Sequence, residues 1–352
     1  MSDTILNQRQ KKILRLLQQD KKYALSDIQV FFPESDRPSP ATLRRDVSEL
    51  RDLGYLNHSG DRKSSRYTLS IAGRLYAPID PHEYCRLDVD KRFGATSFDF
   101  SLFQKIPSKL FSGKEIDVMG NATAVFLKKS ENASDIIKQK ELERFVIELS
   151  WKSSKIEGNT YSLLDTERLI KEGIEAPGHT KDEAIMILNH KKAFQYVLEH
   201  GESHKSISKR FIEDIHCILV EGLNISSGLR EKQVGITGST YKPLSVPSQI
   251  REAIDDLCKT ISKLKDPYSK AFIALIGISY IQPFEDGNKR TARLLANSIL
   301  VAYNCAPLSY RNADEILYKE GTLVFYEKNS IIPMREIFVQ QYLFACEQYL
   351  KF

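Results

Sequence analysis

The sequence predicts a mainly α-helical protein of two modules, and three observations carry that prediction. The chain is 352 residues long, too long for one ordinary core. From Ala133 onward, apolar residues recur at helical spacing almost to the end. Residues 1–75 hold fourteen Lys/Arg against nine Asp/Glu, and the remainder is neutral, so the whole net charge of +5 sits in the first module.

A hydrophobic fraction of 41% and a charged fraction of 28% belong to a soluble globular protein and argue against disorder. No uninterrupted apolar run reaches the ~18 residues of a membrane helix, and Met1 to Asp20 is amphipathic rather than signal-like. A cytoplasmic protein with no membrane partner is the expectation. The five cysteines (Cys85, Cys217, Cys258, Cys305 and Cys346) are scattered without a Cys-x-x-Cys pair, which reads as reduced core thiols rather than a zinc site.

Taken in order, residues 7–19 place Ile13, Leu14, Leu16 and Leu17 among polar residues and predict a first helix. Ser26 is the expected N-cap of a short second helix ending near Phe31 and Phe32. Pro40 opens and Gly54 closes a third, Ala41 to Leu53. Tyr55–Asn57 and Ser65–Ser70 flank a polar tip and predict a hairpin. Three helices and a hairpin within residues 1–75 have the order of a winged helix-turn-helix. In the third helix Leu43, Val47, Leu50 and Leu53 form the buried stripe. Thr42, Arg44, Arg45, Ser48 and Arg51 face outward, with Arg62, Lys63 and Arg66 on the hairpin. That division suits phosphates and base edges, so DNA is the expected partner. A winged-helix module that binds protein or a second copy of the chain is the alternative.

Residues 76–132 read as an irregular linker packed on the main body, with Pro78, Pro81 and Pro107 and no assigned chemistry. Residues 133–352 form the second module, its core at about 205–345. Helices are expected over Glu141–Ile156, Thr180–His200, Ser206–Glu221, Ile250–Leu264, Tyr268–Tyr280, Thr291–Tyr303 and Met334–Leu350. Between Gly228 and Pro247 the glycine-punctuated alternation predicts a short β-hairpin.

The most informative stretch is Gln282-Pro-Phe-Glu-Asp-Gly-Asn-Lys-Arg-Thr-Ala-Arg293. Gly287 permits a tight turn and close backbone approach. Asn288 and Lys289 open a helix whose free N–H groups suit an anion. Asp286 is a hard oxygen ligand suited to Mg²⁺ shared with phosphates. Arg290 and Arg293 share a helical face and can fork onto phosphate oxygens, and Phe284 pins the loop. Walker-type, dinucleotide and His-Glu-x-x-His patterns are absent from the sequence.

This stretch resembles the signature of the Fic (Fido) family, His-x-Phe-x-Asp/Glu-Gly-Asn-x-x-Arg. Family members typically transfer AMP from ATP to a protein hydroxyl. The resemblance implies a Fic-type helical domain with a hairpin flap. It implies ATP and Mg²⁺ as ligands, the metal on Asp286 and the phosphates on Gly287, Asn288 and Arg290. Arg293 would take the γ-phosphate. Lys289 stands where a Gly is commoner, as in Doc-like relatives. Ser153-Ser-Lys-Ile-Glu157-Gly158 resembles the family's inhibitory motif, with Glu157 set to pair with Arg293. Gly235, Ile236, Thr237, Gly238 and Tyr241 resemble the flap that docks the target protein by strand addition.

Gln282 departs from the pattern. It occupies the position of the family's basic His, and an amide accepts no proton at physiological pH. Three functional readings follow. One is a protein adenylyltransferase, inhibited by Glu157 and weak or atypical because of Gln282. Another is a catalytically degenerate, ATP-binding regulator associated with DNA. The third is a protein-interaction module with an empty, vestigial site.

Overall fold

The computed structural model describes residues 6–19, 21–200 and 207–352. Ser206, at the head of one expected helix, and the side chain of Lys63 lie outside the described set. The chain divides into two compact units: Met1–Pro107 with Ile236–Tyr241 and Glu320–Met334, and Ser108–Gly235 with Lys242–Lys319 and Arg335–Phe352.

In the first unit, α1 (Gln8–Leu17), α2 (Leu25–Phe31) and α3 (Pro40–Asp52) precede β1 (Leu56–Ser59) and β2 (Arg66–Leu69). The strands pair antiparallel with Leu56 opposite Leu69 and Ser59 opposite Arg66. Ile13, Leu14, Leu17, Ile28, Leu43, Val47, Leu50 and Leu56 make the core beneath them. Ser39 caps α3 by accepting from the Thr42 N–H, and Pro40 takes the first helical position. Ser26 is not the N-cap expected for α2. Ala24 holds that place, because the Asp27 carboxylate reaches back 2.8 Å to its N–H. Asp46, 1% exposed, is held by Arg9 Nε at 2.7 Å and ties α3 to α1. Then come α4 (Ile71–Leu75), α5 (Pro81–Cys85) and α6 (Ser101–Gln104).

The second unit begins with α7 (Gly113–Glu131), a 19-residue helix where an irregular connection was expected. Ser112 and Glu115 exchange hydrogen bonds in a capping box that starts it. There follow α8 (Asp135–Ile156), α9 (Leu163–Glu172), α10 (Lys181–Glu199), α11 (Lys209–Val220), α12 (Pro247–Lys263), α13 (Pro267–Ile281) and α14 (Asn288–Ala302). The last two helices, α15 (Glu315–Lys328) and α16 (Ile332–Gln348), each contribute residues to both units. Every residue of α13 from Tyr268 to Ile281 is buried, so it is the central rod of the unit. It packs against both α12 and α14. Among the described residues no helix is long and apolar enough to cross a membrane.

The hairpin expected between Gly228 and Pro247 is not formed: among the described residues that segment has no strand ladder. Ser239 N–H instead closes a tight turn onto the Ile236 carbonyl at 3.1 Å, with Gly238 at φ +76. Gly235, Gly238 and Pro243 interrupt any regular ladder.

Candidate nucleotide-phosphate site

The site is built where α13 stops and α14 starts. Gln282 ends α13 in the left-handed region, φ 50, with its N–H on the Ile278 carbonyl. Its side-chain amide donates to the Ser279 carbonyl at 2.6 Å. Arg230, only 2% exposed, supports the turn from beneath. Its Nε donates to the Gln282 carbonyl at 2.7 Å, its backbone N–H to the Pro283 carbonyl at 3.0 Å, and its remaining nitrogens to the Lys232 and Leu244 carbonyls.

Beyond the turn, the Asn288 side chain closes the loop on itself. It accepts from the Phe284 N–H and donates to the Phe284 carbonyl, both at 2.9 Å. Phe284 is fully buried and stacks on His216, centroids 3.7 Å apart and planes 5° from parallel. His216 Nε2 lies 3.0 Å from the Asp286 carbonyl oxygen, so it carries the proton of the imidazole. Burial pushes His216 down to about 4, against the opposing pull of that carbonyl. The ring is therefore neutral at physiological pH. Gly287 turns the chain at φ 78 into α14, where a left-handed L-residue is strained.

Charge is concentrated here. Arg290 is 1% exposed and bonds Asp286 Oδ2 at 3.0 Å, while its Nε and Nη1 have no hydrogen-bond partner among the described residues. Burial lowers its pKa. Arg293 is fully buried. It donates from Nε to Ser153 Oγ and from Nη2 to the Ser153 carbonyl and Glu157 Oε1, each at 2.8 Å. Its guanidinium also lies over the Tyr318 and Tyr310 rings. Lys289 Nζ reaches Glu157 Oε2 at 3.3 Å.

Glu157 arrives from the end of α8, where Gly158 at φ 101 stops the helix. Burial alone would raise this carboxyl, but Arg293 and Lys289 outweigh it and hold it below the usual carboxylate range. Ser153, on the same face, is bridged to the buried His190 Nε2 at 2.7 Å. Asp286 keeps its side chain 64% exposed, with oxygens toward solvent.

Thus Phe284, Asp286, Gly287, Asn288, Lys289, Arg290 and Arg293 are brought together with Ser153 and Glu157. Ile236, Thr237, Gly238 and Tyr241 belong to the first unit. Also in that unit, Arg44, Arg45, Arg51 and Arg62 are exposed, and Thr42, Ser48 and Arg66 are half-buried. Arg51 is engaged with Ser48 and Asp52. His190, His216 and Arg230 are parts of the site that sequence reasoning missed. Chemically the recess gathers helix N-terminal amides, the three cations Lys289, Arg290 and Arg293 and the two carboxylates Glu157 and Asp286, a set of groups that can hold an anion.

Residues 206–300 match the family model described as Fic/DOC family. Over these residues the chain is similar to that family. A protein adenylyltransferase of Caenorhabditis briggsae is 30% identical over 158 residues, 44% of this chain and 31% of that protein. A probable protein adenylyltransferase of Aquifex aeolicus is 31% identical over 132 residues, 35% and 41% of the two chains. The chain thus spans less than half the length of these curated relatives. Among solved structures, a Fic-1 fragment of Caenorhabditis elegans superposes with a TM-score of 0.55 at 20% identity, covering 67% of this chain and 70% of that one. A Fic family protein of Desulfovibrio desulfuricans does so at 0.56 and 20%, covering 69% and 76%. At that identity the superpositions establish the fold alone: the chain shares the helical architecture of both.

Proposed function

We propose that this chain is a Fic-type protein adenylyltransferase held off by Glu157 and slowed by Gln282. The observation that carries the reading is the Arg293–Glu157 pair at 2.8 Å, formed between α14 and the end of α8 beside a loop whose groups suit phosphates. In this reading ATP lies along the start of α14, its phosphates on the amides after Gly287 and on Arg290 and Arg293. A target hydroxyl oxygen attacks the α-phosphorus, the bond to the β-phosphate oxygen breaks, and pyrophosphate leaves while the hydroxyl proton passes to solvent.

Asp286 fits a magnesium ion shared with those phosphates. Its carboxylate is open to solvent, and no cluster of three or more His, Cys, Asp or Glu suits a metal among the described residues. The ion would therefore take most of its ligands from phosphate and water, supplying neutralisation of phosphate charge. Glu157 competes with the nucleotide for Arg293. Gln282 holds the position of a general base but can only hydrogen-bond, and lacking that assistance costs about 10²–10⁴-fold in rate.

The test is calorimetric titration of Mg·ATP into wild type, Glu157→Gly and Gln282→His, followed by assay of transferred AMP. Gain of ATP binding in Glu157→Gly supports the plug; a Glu157→Gly protein that neither binds ATP nor transfers AMP sinks the reading.

A second reading rests on the Gln282 amide donating to the Ser279 carbonyl, a structural cap on α13. With that side chain spent on the helix end, the domain would bind ATP without transfer. Residues 1–75 would then be a winged helix-turn-helix that takes DNA through Arg44 and Arg45, joined by 76–132 to the Fic/DOC domain. An electrophoretic mobility assay with and without ATP separates the two.

A further inference from the structure

Residues 84–95 have no part in the site so far, yet they make the most buried ion pair of the first unit. Arg92 and Glu327 have side chains 3% and 0% exposed, with Arg92 Nη1 and Glu327 Oε1 3.4 Å apart. Burial of two charges is tolerated when each finds further hydrogen bonds. Here the partners of Arg92 Nη2 and of Glu327 come largely from one short loop, while Arg92 Nε and Nη1 are buried with no hydrogen bond among the described residues. Arg92 Nη2 donates to the Gly238 carbonyl at 2.5 Å. Ser239 Oγ donates to Glu327 Oε1 at 2.6 Å and accepts from the Tyr241 N–H at 3.2 Å. Tyr241 stacks on Tyr326, centroids 5.6 Å apart. The second Glu327 oxygen accepts from the Tyr84 hydroxyl at 2.6 Å. The next residue, Lys328, donates to the Gln18 carbonyl at the end of α1 at 2.9 Å.

A loop without a strand ladder has little to fix its backbone. Within the first unit, Ile236–Tyr241 is held by its own Ile236–Ser239 turn and by these contacts. We infer that Arg92 and Glu327 are positioning residues that clamp the target-docking loop 235–241 in one conformation through Gly238 and Ser239. This rests on reading that loop as the docking element of the adenylyltransferase. The clamp acts on the acceptor side of the reaction, because none of its members is among the groups that suit phosphate. Through Lys328 and α1, it also gives residues 76–95 and the N-terminal module a route to that loop.

The test compares full-length Arg92→Lys, Glu327→Gln and the milder Ser239→Ala, each alone and with Glu157→Gly. Hydrogen–deuterium exchange of 235–241 is measured, alongside Mg·ATP affinity and AMP transfer to the protein itself. Exchange in the loop is expected to quicken by about tenfold or more, as a local opening no longer opposed. ATP affinity should stay within about twofold of the parent, since the phosphate groups are untouched, and transfer in the Glu157→Gly background should fall. Unchanged exchange in Ser239→Ala and Arg92→Lys overturns the clamp, as does a loss of ATP affinity equal to the loss of transfer. Should Glu157→Gly transfer nothing, the adenylyltransferase reading fails while the exchange arm still decides the clamp.

Discussion

Two cations act on one carboxylate at Glu157, so its removal has a calculable direction. Glu157→Gly frees Arg293 and Lys289 for phosphate oxygens, and Mg·ATP affinity should rise by about tenfold or more, equivalent to about 1.4 kcal/mol; isothermal titration reads it. Gln282 makes a second prediction. With no titrating base, the pH–rate profile of a Glu157→Gly protein should lack an acid limb near the ordinary His value of about 6.5, and Gln282→His should introduce one. His is among the residues that tolerate the left-handed backbone found at this position. His216 gives a third. Its folded pKa of about 4 lies below the value of about 6.5 for an unfolded chain. Between those values the unfolded chain binds the extra proton, so stability is full above about pH 6.5 and is lost as pH falls toward 4. The loss is on the order of 3 kcal/mol, and His216→Phe should flatten the slope of urea-unfolding free energy over that window. None of His216, His190 or Arg230 was legible in the sequence. Each reaches the site from a different segment, and linear spacing does not say which ring stacks on Phe284 or which arginine fills the space under a turn.

The elements themselves were legible where one pattern had one cause. The stretch around α13 and α14 was readable because one continuous run builds both the rod and the loop, with Gly287 and Asn288 marking the turn. Glu157 was readable because Leu149, Ser153 and Glu157 recur on one face of α8 before a stopping glycine. The helix α7 was misjudged: Pro107 and nearby aromatics suggested irregular chain, although Ser112 and Glu115 spelled a capping box. The 235–247 alternation was misread because its backbone is held by contacts with distant residues, which a local pattern does not record. Gly287 supplies the prediction at this scale. Its φ of 78 strains any other L-residue, and an added Cβ would meet His216 at 3.5 Å and Arg290 at 3.6 Å. Gly287→Ala should cost about 1–2 kcal/mol of stability from the left-handed backbone. It should also weaken Mg·ATP binding, because the amides of α14 move with the turn; thermal unfolding and calorimetry measure the two effects separately.

At the scale of the whole chain, the uneven charge makes the sharpest demand. All of the net +5 lies in residues 1–75, and Arg44 and Arg45 are exposed on α3, whose opposite face is anchored by Leu43, Val47, Leu50 and the buried Asp46. A basic face backed by a fixed core is what a polyanion requires, because phosphate contacts position a helix before bases are read. Duplex DNA should therefore bind at low salt, with log affinity falling against log salt by about 0.9 for each phosphate neutralised. Changing Arg44 and Arg45 together to Ala should reduce that slope by about two contacts while leaving thermal stability nearly unchanged, since neither residue is buried. Arg51→Ala should do less, as its guanidinium is already engaged with Asp52 and Ser48. Fluorescence anisotropy on a labelled duplex across a salt series measures all three proteins. Repeating it with Mg·ATP and the Glu157→Gly chain asks whether the proposed nucleotide site and the basic face are coupled. Linkage requires that any change of DNA affinity with ATP be mirrored by an equal change of ATP affinity with DNA. A salt slope identical in wild type and the double variant would remove DNA from this face and leave the charge to a protein partner.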